Sequence, residues 1–127
     1  MENVKKSLIE EKSFKFAISV VKLFSELKKQ NEYVLSKQFL RAGTSIGANV
    51  TEALAAQSSN DFINKMSIAS KEARETRYWL NLLKESNLVK INYDNYLSEI
   101  NEIIKILTKI VKTSQNNLIN KSKQLKT

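Results

Sequence analysis

The sequence has no cysteine, no histidine and no proline, and its only glycines are Gly43 and Gly47. The missing cysteine and histidine exclude disulfides, thiol catalysis, the usual zinc sites and the commonest general base. Tight turns between strands usually need glycine or proline, so their scarcity favours an all-α fold with short polar connections. No uncharged apolar run approaches the ~20 residues that span a bilayer, and the first twelve residues lack a signal-peptide core. We therefore expect a soluble cytoplasmic protein with no membrane partner.

The net charge is +8, and hydrophobic residues make up 42% of the 127 residues, which suits one globular domain spanning 1–127. Much of the excess positive charge lies in the last sixteen residues. This segment contains no acid and four lysines, namely Lys112, Lys121, Lys123 and Lys126. Such a basic tail either contacts nucleic acid or keeps the protein soluble, and charge alone does not separate the two.

Apolar residues recur at spacings of three and four along most of the chain, which predicts four helices. Their predicted bounds are about 8–29, 37–56, 59–86 and 93–114. Residues 115–127 are expected to be a basic, frayed tail because the apolar pattern thins there. Four helices of similar length with short connections predict an antiparallel up-down-up-down four-helix bundle.

Polar residues between these segments are suited to begin and end helices. Ser36 is predicted to cap the second helix, Ser58 or Ser59 the third, and Asn92 the fourth. Asn31 and Asn87 are suited to left-handed positions that end the first and third helices.

The second helix is unusual, because from Ala42 to Asn60 Glu52 is the only charged residue. A glycine inside a helix costs about 1 kcal/mol relative to alanine, so two glycines one turn apart need a reason. Small side chains allow another backbone to approach closely. We interpret one face of this helix as a surface that packs against a second copy of the chain. The candidate interface residues are Gly43, Gly47, Thr51 and Ala55. A merely alanine- and serine-rich surface is the simpler alternative.

The third helix contains the charged run KEARETRYWL, residues 71–80. Neighbouring charges of this kind are usually exposed ion pairs worth a few tenths of a kcal/mol. Arginine nevertheless offers a planar donor fork for phosphate, and neighbouring aromatic rings can stack on bases. The candidate RNA-binding residues are Arg41, Arg74, Arg77, Lys112, Lys121 and Lys123. Tyr78 and Trp79 are possible stacking residues, although aromatic side chains more often pack in a core or an interface.

No catalytic arrangement is visible in the sequence. There is no phosphate-binding glycine loop, no nucleophile beside a base, and no Glu-x-x-His pair for a di-metal site. We expect no enzyme activity, no cofactor, no metal and no small-molecule substrate.

The motif GTSIGAN in the second helix and the run KEARETRYWL in the third resemble the bacterial four-helix bundle family encoded in intervening sequences of the 23S rRNA gene. The resemblance extends from about Lys12 to Leu107, and its most specific part is LRAGTSIGANVTEA followed by DFINKMSIASKEARETRYWL. Many relatives have proline where Gly47 stands, so a kink-dependent contact is not expected here.

The resemblance implies a homopentamer of antiparallel bundles and kinship with pentameric accessory proteins of diversity-generating retroelements, which work with RNA and a reverse transcriptase. The family has no established activity, so no binding residue is transferred. The family signature falls on Arg41, Gly43, Ser45, Ile46, Gly47, Ala48 and Asn49, and on Lys71, Glu72, Ala73, Arg74, Glu75, Arg77, Tyr78 and Trp79. Two functions follow as hypotheses: an RNA-associated accessory protein, and a protein–protein scaffold without nucleic acid.

Overall fold

The computed structural model describes residues 2–126, and the side chains of residues 8–125. It contains four helices: α1 (Glu2–Lys29), α2 (Leu35–Leu54), α3 (Ser59–Ser86) and α4 (Asp94–Lys126). Between residues 2 and 126 there is no β-strand. The prediction of an all-α four-helix fold is therefore confirmed.

One hydrophobic core is built from all four helices. α1 contacts α2 and α4, and α3 also contacts α2 and α4, so the helices surround the core in chain order. The predicted apolar stripes supply it, with fully buried residues such as Phe16 in α1, Phe39 in α2, Leu80 in α3 and Leu107 in α4. Burial of a side chain of this size stabilises a fold by about 1.5–3 kcal/mol, so these stripes hold the bundle together.

Ion pairs between α2 and α3 record how the two helices lie against each other. Arg41, near the start of α2, pairs with Glu75 late in the middle of α3. Glu52, near the end of α2, pairs with Lys65 near the start of α3, at 3.2 Å. In these pairs the residue numbers fall along α3 as they rise along α2. The same holds between α3 and α4, since Arg74 bonds to Thr108 and Lys84 bonds to Asp94.

Several predicted helix ends are present. Asn31 and Asn87 adopt left-handed backbone angles, with φ of 67° and 55°. The Ser58 hydroxyl accepts a hydrogen bond from the Asp61 backbone N–H and caps α3. Asn92 lies just before α4, and its side-chain oxygen accepts from the Asp94 N–H at 3.0 Å.

The prediction that Ser36 caps α2 was wrong. Ser36 lies inside the helix and is buried, and its hydroxyl donates to the carbonyl of Glu32. The first turn is instead capped by the Glu32 carboxylate, which accepts from the backbone N–H groups of Val34, Leu35 and Ser36 at 2.9, 3.2 and 2.5 Å. A carboxylate at this position also favours the positive end of the helix.

The expected frayed tail is helical in the structure. α4 was predicted to end near residue 114 but continues to Lys126, and α1 begins at Glu2 rather than near residue 8. No glycine or proline interrupts residues 115–126. Leu118 is half-buried in a cleft with Leu54 and Phe62, which supports the helix beyond its predicted end.

Tyr93 makes the stability of the fold depend on pH in the alkaline range. Its side chain is buried and its hydroxyl donates to the Val89 carbonyl at 3.0 Å. Burial, and secondarily the negative charge of Glu32, raises the pKa of Tyr93. In the unfolded chain this hydroxyl ionises near pH 10, whereas in the folded chain it stays protonated to higher pH. The protonated hydroxyl therefore stabilises the fold below about pH 10, and this contribution is lost as pH rises through the pKa of the folded state.

We expect Tyr93→Phe to lose less stability than wild type between pH 8 and pH 11, because it has no hydroxyl to ionise. Tyr78→Phe, at an exposed position, should behave as wild type. Urea unfolding at the two pH values measures the difference.

Candidate functional site

The structure does not bring the three candidate arginines together. Arg41 reaches from α2 to α3, where its guanidinium bonds to Glu72 at 3.1 Å and to Glu75. The Glu75 carboxylate also accepts from the Trp79 indole N–H at 3.1 Å. Arg41 therefore joins α2 to α3, and its positive charge is offset by two carboxylates.

Arg74 and Arg77 point to the opposite side of α3, toward α4. Arg74 donates to the Thr108 hydroxyl at 3.1 Å, and Arg77 donates to the Asn101 side-chain oxygen at 3.0 Å. Both acceptors are neutral, so neither arginine is neutralised by its partner. Each guanidinium keeps further N–H donors for an anionic ligand.

A groove between α3 and α4 is lined by positively charged side chains. Its volume is about 300 Å³, and its lining includes Lys71, Arg74 and Lys112 together with hydroxyl and amide side chains. The remaining lining residues are Ser67, Ser70, Thr108, Val111 and Gln115. None of the residues that line the groove is a carboxylate. We call this groove, with Arg77 beside it, the α3–α4 basic face.

The carboxylates of the same two helices lie outside this groove, although Asp94 pairs with Lys84 at 3.3 Å farther along the α3–α4 seam. In α3, Glu72 and Glu75 are bonded to Arg41 of α2. In α4, Glu99 and Glu102 line a cleft against α1, where Glu102 pairs with Lys12 at 3.2 Å. This sorting leaves no carboxylate among the residues that line the groove.

Because α4 is longer than predicted, its exposed lysines extend the positive charge of the α3–α4 basic face beyond the groove. Lys105, Lys112 and Lys123 are separated by seven and eleven residues, close to whole numbers of helical turns, and all three are exposed. They cover about 27 Å along one side of α4. Lys121 lies apart from them, in the cleft formed with Phe62 and Leu118.

The two candidate stacking residues have different environments. Trp79 is half-buried and bonded to Glu75, so it contributes to the α2–α3 seam. Tyr78 is 59% exposed beside Arg74 and Arg77 in the sequence. The two rings meet edge to face, with centroids 5.1 Å apart, and only Tyr78 presents a free surface to a base.

The structure corrects the role of Gly43. This residue is buried, and a Cβ added to it would lie 2.7 Å from a methyl carbon of Val20 in α1. The close approach that the glycine predicted is therefore made within one chain, and Gly43 is not available to a second copy. Gly47 is half-buried beside Ser13, whereas Thr51 and Ala55 are exposed, as a surface role requires.

The polar side chains of α2 are satisfied within the helix. Thr44, Ser45, Asn49 and Thr51 each donate to a carbonyl one turn earlier. Between residues 44 and 51, the outward side of α2 therefore carries only small, uncharged side chains with few free donors, which suits contact with another apolar surface better than contact with water.

An exposed apolar stripe on α1, which sequence reasoning missed, lies next to this face of α2. Phe14, Ile18 and Val21 are 68%, 43% and 50% exposed, and Ala17 lies between them. Their spacing of four and three residues is the signal that could have revealed a second stripe beside the core stripe. We call Phe14, Ala17, Ile18 and Val21 the α1 outer stripe. It borders a groove of about 810 Å³ that also includes Thr44, Gly47, Ala48 and Thr51.

The described residues contain no group of three or more acids that could hold a metal ion. No described helix has the length and hydropathy that a membrane span requires.

Known proteins identify the family. The model of the 23S rRNA-intervening sequence protein family matches residues 5–109. A crystal structure of a protein of unknown function from the S23 ribosomal protein family of Bacteroides thetaiotaomicron VPI-5482 is 47% identical, with a TM-score of 0.81. The alignment covers 85% of this chain and 98% of that one. No curated protein matches the chain. The chain belongs to the 23S rRNA-intervening sequence protein family.

Proposed function

We propose that this protein is a non-enzymatic, RNA-associated accessory protein of the cytoplasm that binds the phosphate backbone of structured RNA through the α3–α4 basic face. The observation that carries the proposal is the sorting of charge on α3 and α4. Arg74, Lys71 and Lys112 line the α3–α4 groove together with neutral acceptors, and no carboxylate of either helix lines it. Glu72 and Glu75 bond to Arg41, and Glu99 and Glu102 face α1.

The expected mode of binding follows from these side chains. Arg74 and Arg77 offer planar donor forks for phosphate oxygens, and Lys71 and Lys112 add point charges beside them. Contacts of this kind position a protein on RNA without reading its sequence. Arg41 is left out of this face because Glu72 and Glu75 occupy its guanidinium.

We expect the double variant Arg74→Ala/Lys112→Ala to bind a hairpin RNA about tenfold or more weakly than wild type, because two phosphate contacts are removed. The slope of log affinity against log salt should fall by about 2. Fluorescence anisotropy over a salt series measures both quantities.

The matched control is Lys22→Ala/Lys37→Ala, which removes two exposed charges from α1 and α2. It should retain most of the affinity. Equal weakening by both double variants would show that only net charge matters, and absence of RNA binding in wild type would refute the proposal.

We also propose that the chain forms a homo-oligomer of antiparallel up-down-up-down bundles. Ion pairs between α2 and α3 support the antiparallel order, because partner numbers fall along one helix as they rise along the other. The apolar α1 outer stripe and the uncharged segment 44–51 of α2 beside it support self-association. A pentamer is the assembly that the family resemblance implies, and five chains of +8 each would carry about +40, a strong attraction for RNA.

The exposed α1 outer stripe also favours a second candidate function, a protein–protein scaffold that binds no nucleic acid. Affinity purification from cells separates the two. Enrichment of RNA over a matched control supports the accessory role, whereas a stoichiometric protein partner without RNA supports the scaffold.

A further inference from the structure

We propose that the α3–α4 basic face binds base-paired RNA in preference to single-stranded RNA and duplex DNA, and that Ser67 and Ser70 hydrogen-bond to ribose 2′-hydroxyls of that RNA. The inference rests on the proposed function and deepens it, because it names the form of nucleic acid and the residues that distinguish it. The observation that carries it is the presence of unbonded serine hydroxyls among the cations of the groove.

The serines of the groove differ from the hydroxyl residues of α2 in their hydrogen bonding. Thr44, Ser45 and Thr51 each donate to a carbonyl one turn earlier in α2. Ser67 and Ser70 are half-buried in the lining of the groove, and neither forms a hydrogen bond with any described residue. Each of these two hydroxyls can therefore donate to a ligand and accept from it without breaking a bond within the chain.

Cations and hydroxyls lie close together along the groove. Arg74 bonds to Thr108, and residue numbers fall along α3 as they rise along α4. Ser70, one turn before Arg74, therefore lies level with Lys112, one turn after Thr108. Thr108 accepts from Arg74 and keeps its own O–H to donate. Every RNA nucleotide carries a phosphate and a 2′-hydroxyl, so a row of mixed cations and hydroxyls suits an RNA backbone.

The groove lacks the aromatic surface that single-stranded nucleic acid uses. No aromatic side chain lines it, and the exposed Tyr78 lies outside the lining. Proteins that bind single strands stack the bases on aromatic rings. Double-stranded RNA is instead bound through phosphates and 2′-hydroxyls across its shallow minor groove, which matches the side chains present here. Duplex DNA offers the phosphates but would leave Ser67 and Ser70 without partners.

The α3–α4 basic face also stays accessible in the proposed homo-oligomer. The four helices surround the core in chain order, so the α3–α4 groove lies across the bundle from the outer sides of α1 and α2. Self-association through α1 and α2 therefore leaves one open groove on every chain.

Binding of the full chain to four probes at one salt concentration tests the preference. The probes are an RNA duplex, the DNA duplex of the same sequence, the RNA duplex with 2′-fluoro riboses, and an RNA strand that cannot pair. The fluorinated duplex keeps the A-form helix but has no 2′-hydroxyl. By fluorescence anisotropy, wild type should bind the RNA duplex about fivefold or more tightly than each other probe, because the other duplexes lose the hydrogen bonds and the unpaired strand gains no stacking.

The variant Ser67→Ala/Ser70→Ala separates ribose recognition from charge. It removes two hydroxyls and no charge, so its affinity for the RNA duplex should fall about fivefold. Its affinity for duplex DNA and its slope of log affinity against log salt should stay as in wild type. The matched control, Ser25→Ala/Ser86→Ala, removes exposed hydroxyls from α1 and from the end of α3 and should change none of these quantities. Circular dichroism confirms that both variants remain helical.

Three results would overturn this inference while the proposed RNA association stands. They are equal affinity for the RNA and DNA duplexes, tighter binding to the unpaired strand, and a Ser67→Ala/Ser70→Ala variant that discriminates between the duplexes as wild type does. Absence of RNA binding in wild type would overturn the proposed function as well.

Discussion

Replacing Gly43 with leucine should unfold the bundle or cost it at least about 3 kcal/mol, because the new side chain would enter a packed core. Even a Cβ at this position would lie 2.7 and 2.9 Å from the two methyl carbons of Val20. Valine is branched at Cβ and stiff, so α1 or α2 would have to move. Urea unfolding followed by circular dichroism measures the loss. The helical signal should fall with the fold, rather than survive in a dissociated subunit.

Alanine at the two glycines supplies a matched comparison one turn apart. At Gly47 the nearest atom to an added Cβ is the Ser13 carbonyl oxygen at 3.4 Å, an ordinary contact. Gly47→Ala should therefore stabilise the chain by up to about 1 kcal/mol through helix propensity, while Gly43→Ala should destabilise it by about 1–3 kcal/mol. Adding Val20→Ala should recover part of the loss in Gly43→Ala. A Gly43→Leu variant that melts like wild type would contradict the close packing of α1 and α2.

The glycines show how far sequence reasoning reaches. Two glycines in a helix signalled close approach, and the approach exists, but the sequence does not say which helix comes near. Ala42 and Ile46, on the same side of α2 as Gly43, are buried in the chain's own core. The wheel places Gly43 and Gly47 only 40° apart, and that small rotation separates a buried position from a half-exposed one.

The apolar stripes predicted the helices well because they are long and regular. The second stripe on α1 was missed because Phe14, Ile18 and Val21 lie among the core residues Phe16 and Val20 in the sequence. When two stripes share one helix, periodicity alone assigns residues to the stripe with more members. Exposure in the folded chain is what separates them.

The candidate RNA-binding residues were predicted from their side-chain chemistry alone, and in the structure they differ in the side chains that they bond to. Arg41 and Arg74 are equally basic in the sequence, yet Arg41 meets two carboxylates and Arg74 meets a hydroxyl. Spacing on α3 contains part of this information, because Glu72 and Glu75 lie on a different side of the helix from Arg74 and Arg77. Which of these sides faces α2 depends on tertiary packing.

Glu32→Ala should lower the free energy of unfolding by about 2–3 kcal/mol, because three backbone N–H groups at the start of α2 lose their acceptor. The carboxylate accepts from Val34, Leu35 and Ser36, and Ser36 is buried, so water cannot fully replace it. Glu32→Gln keeps one acceptor oxygen but loses the charge that favours the positive helix end, so its loss should be intermediate. Urea unfolding at one fixed protein concentration measures all three proteins.

Ser36→Ala is the comparison that distinguishes the cap seen in the structure, Glu32, from the cap predicted by the sequence, Ser36. If Ser36 were the cap, its removal would be the costly change and Glu32→Ala would cost little. The Ser36 hydroxyl instead donates to the Glu32 carbonyl at 2.8 Å, one ordinary hydrogen bond worth about 1 kcal/mol. We therefore expect Glu32→Ala to be the more destabilising of the two, and the reverse order would show that the cap of α2 has been assigned to the wrong residue.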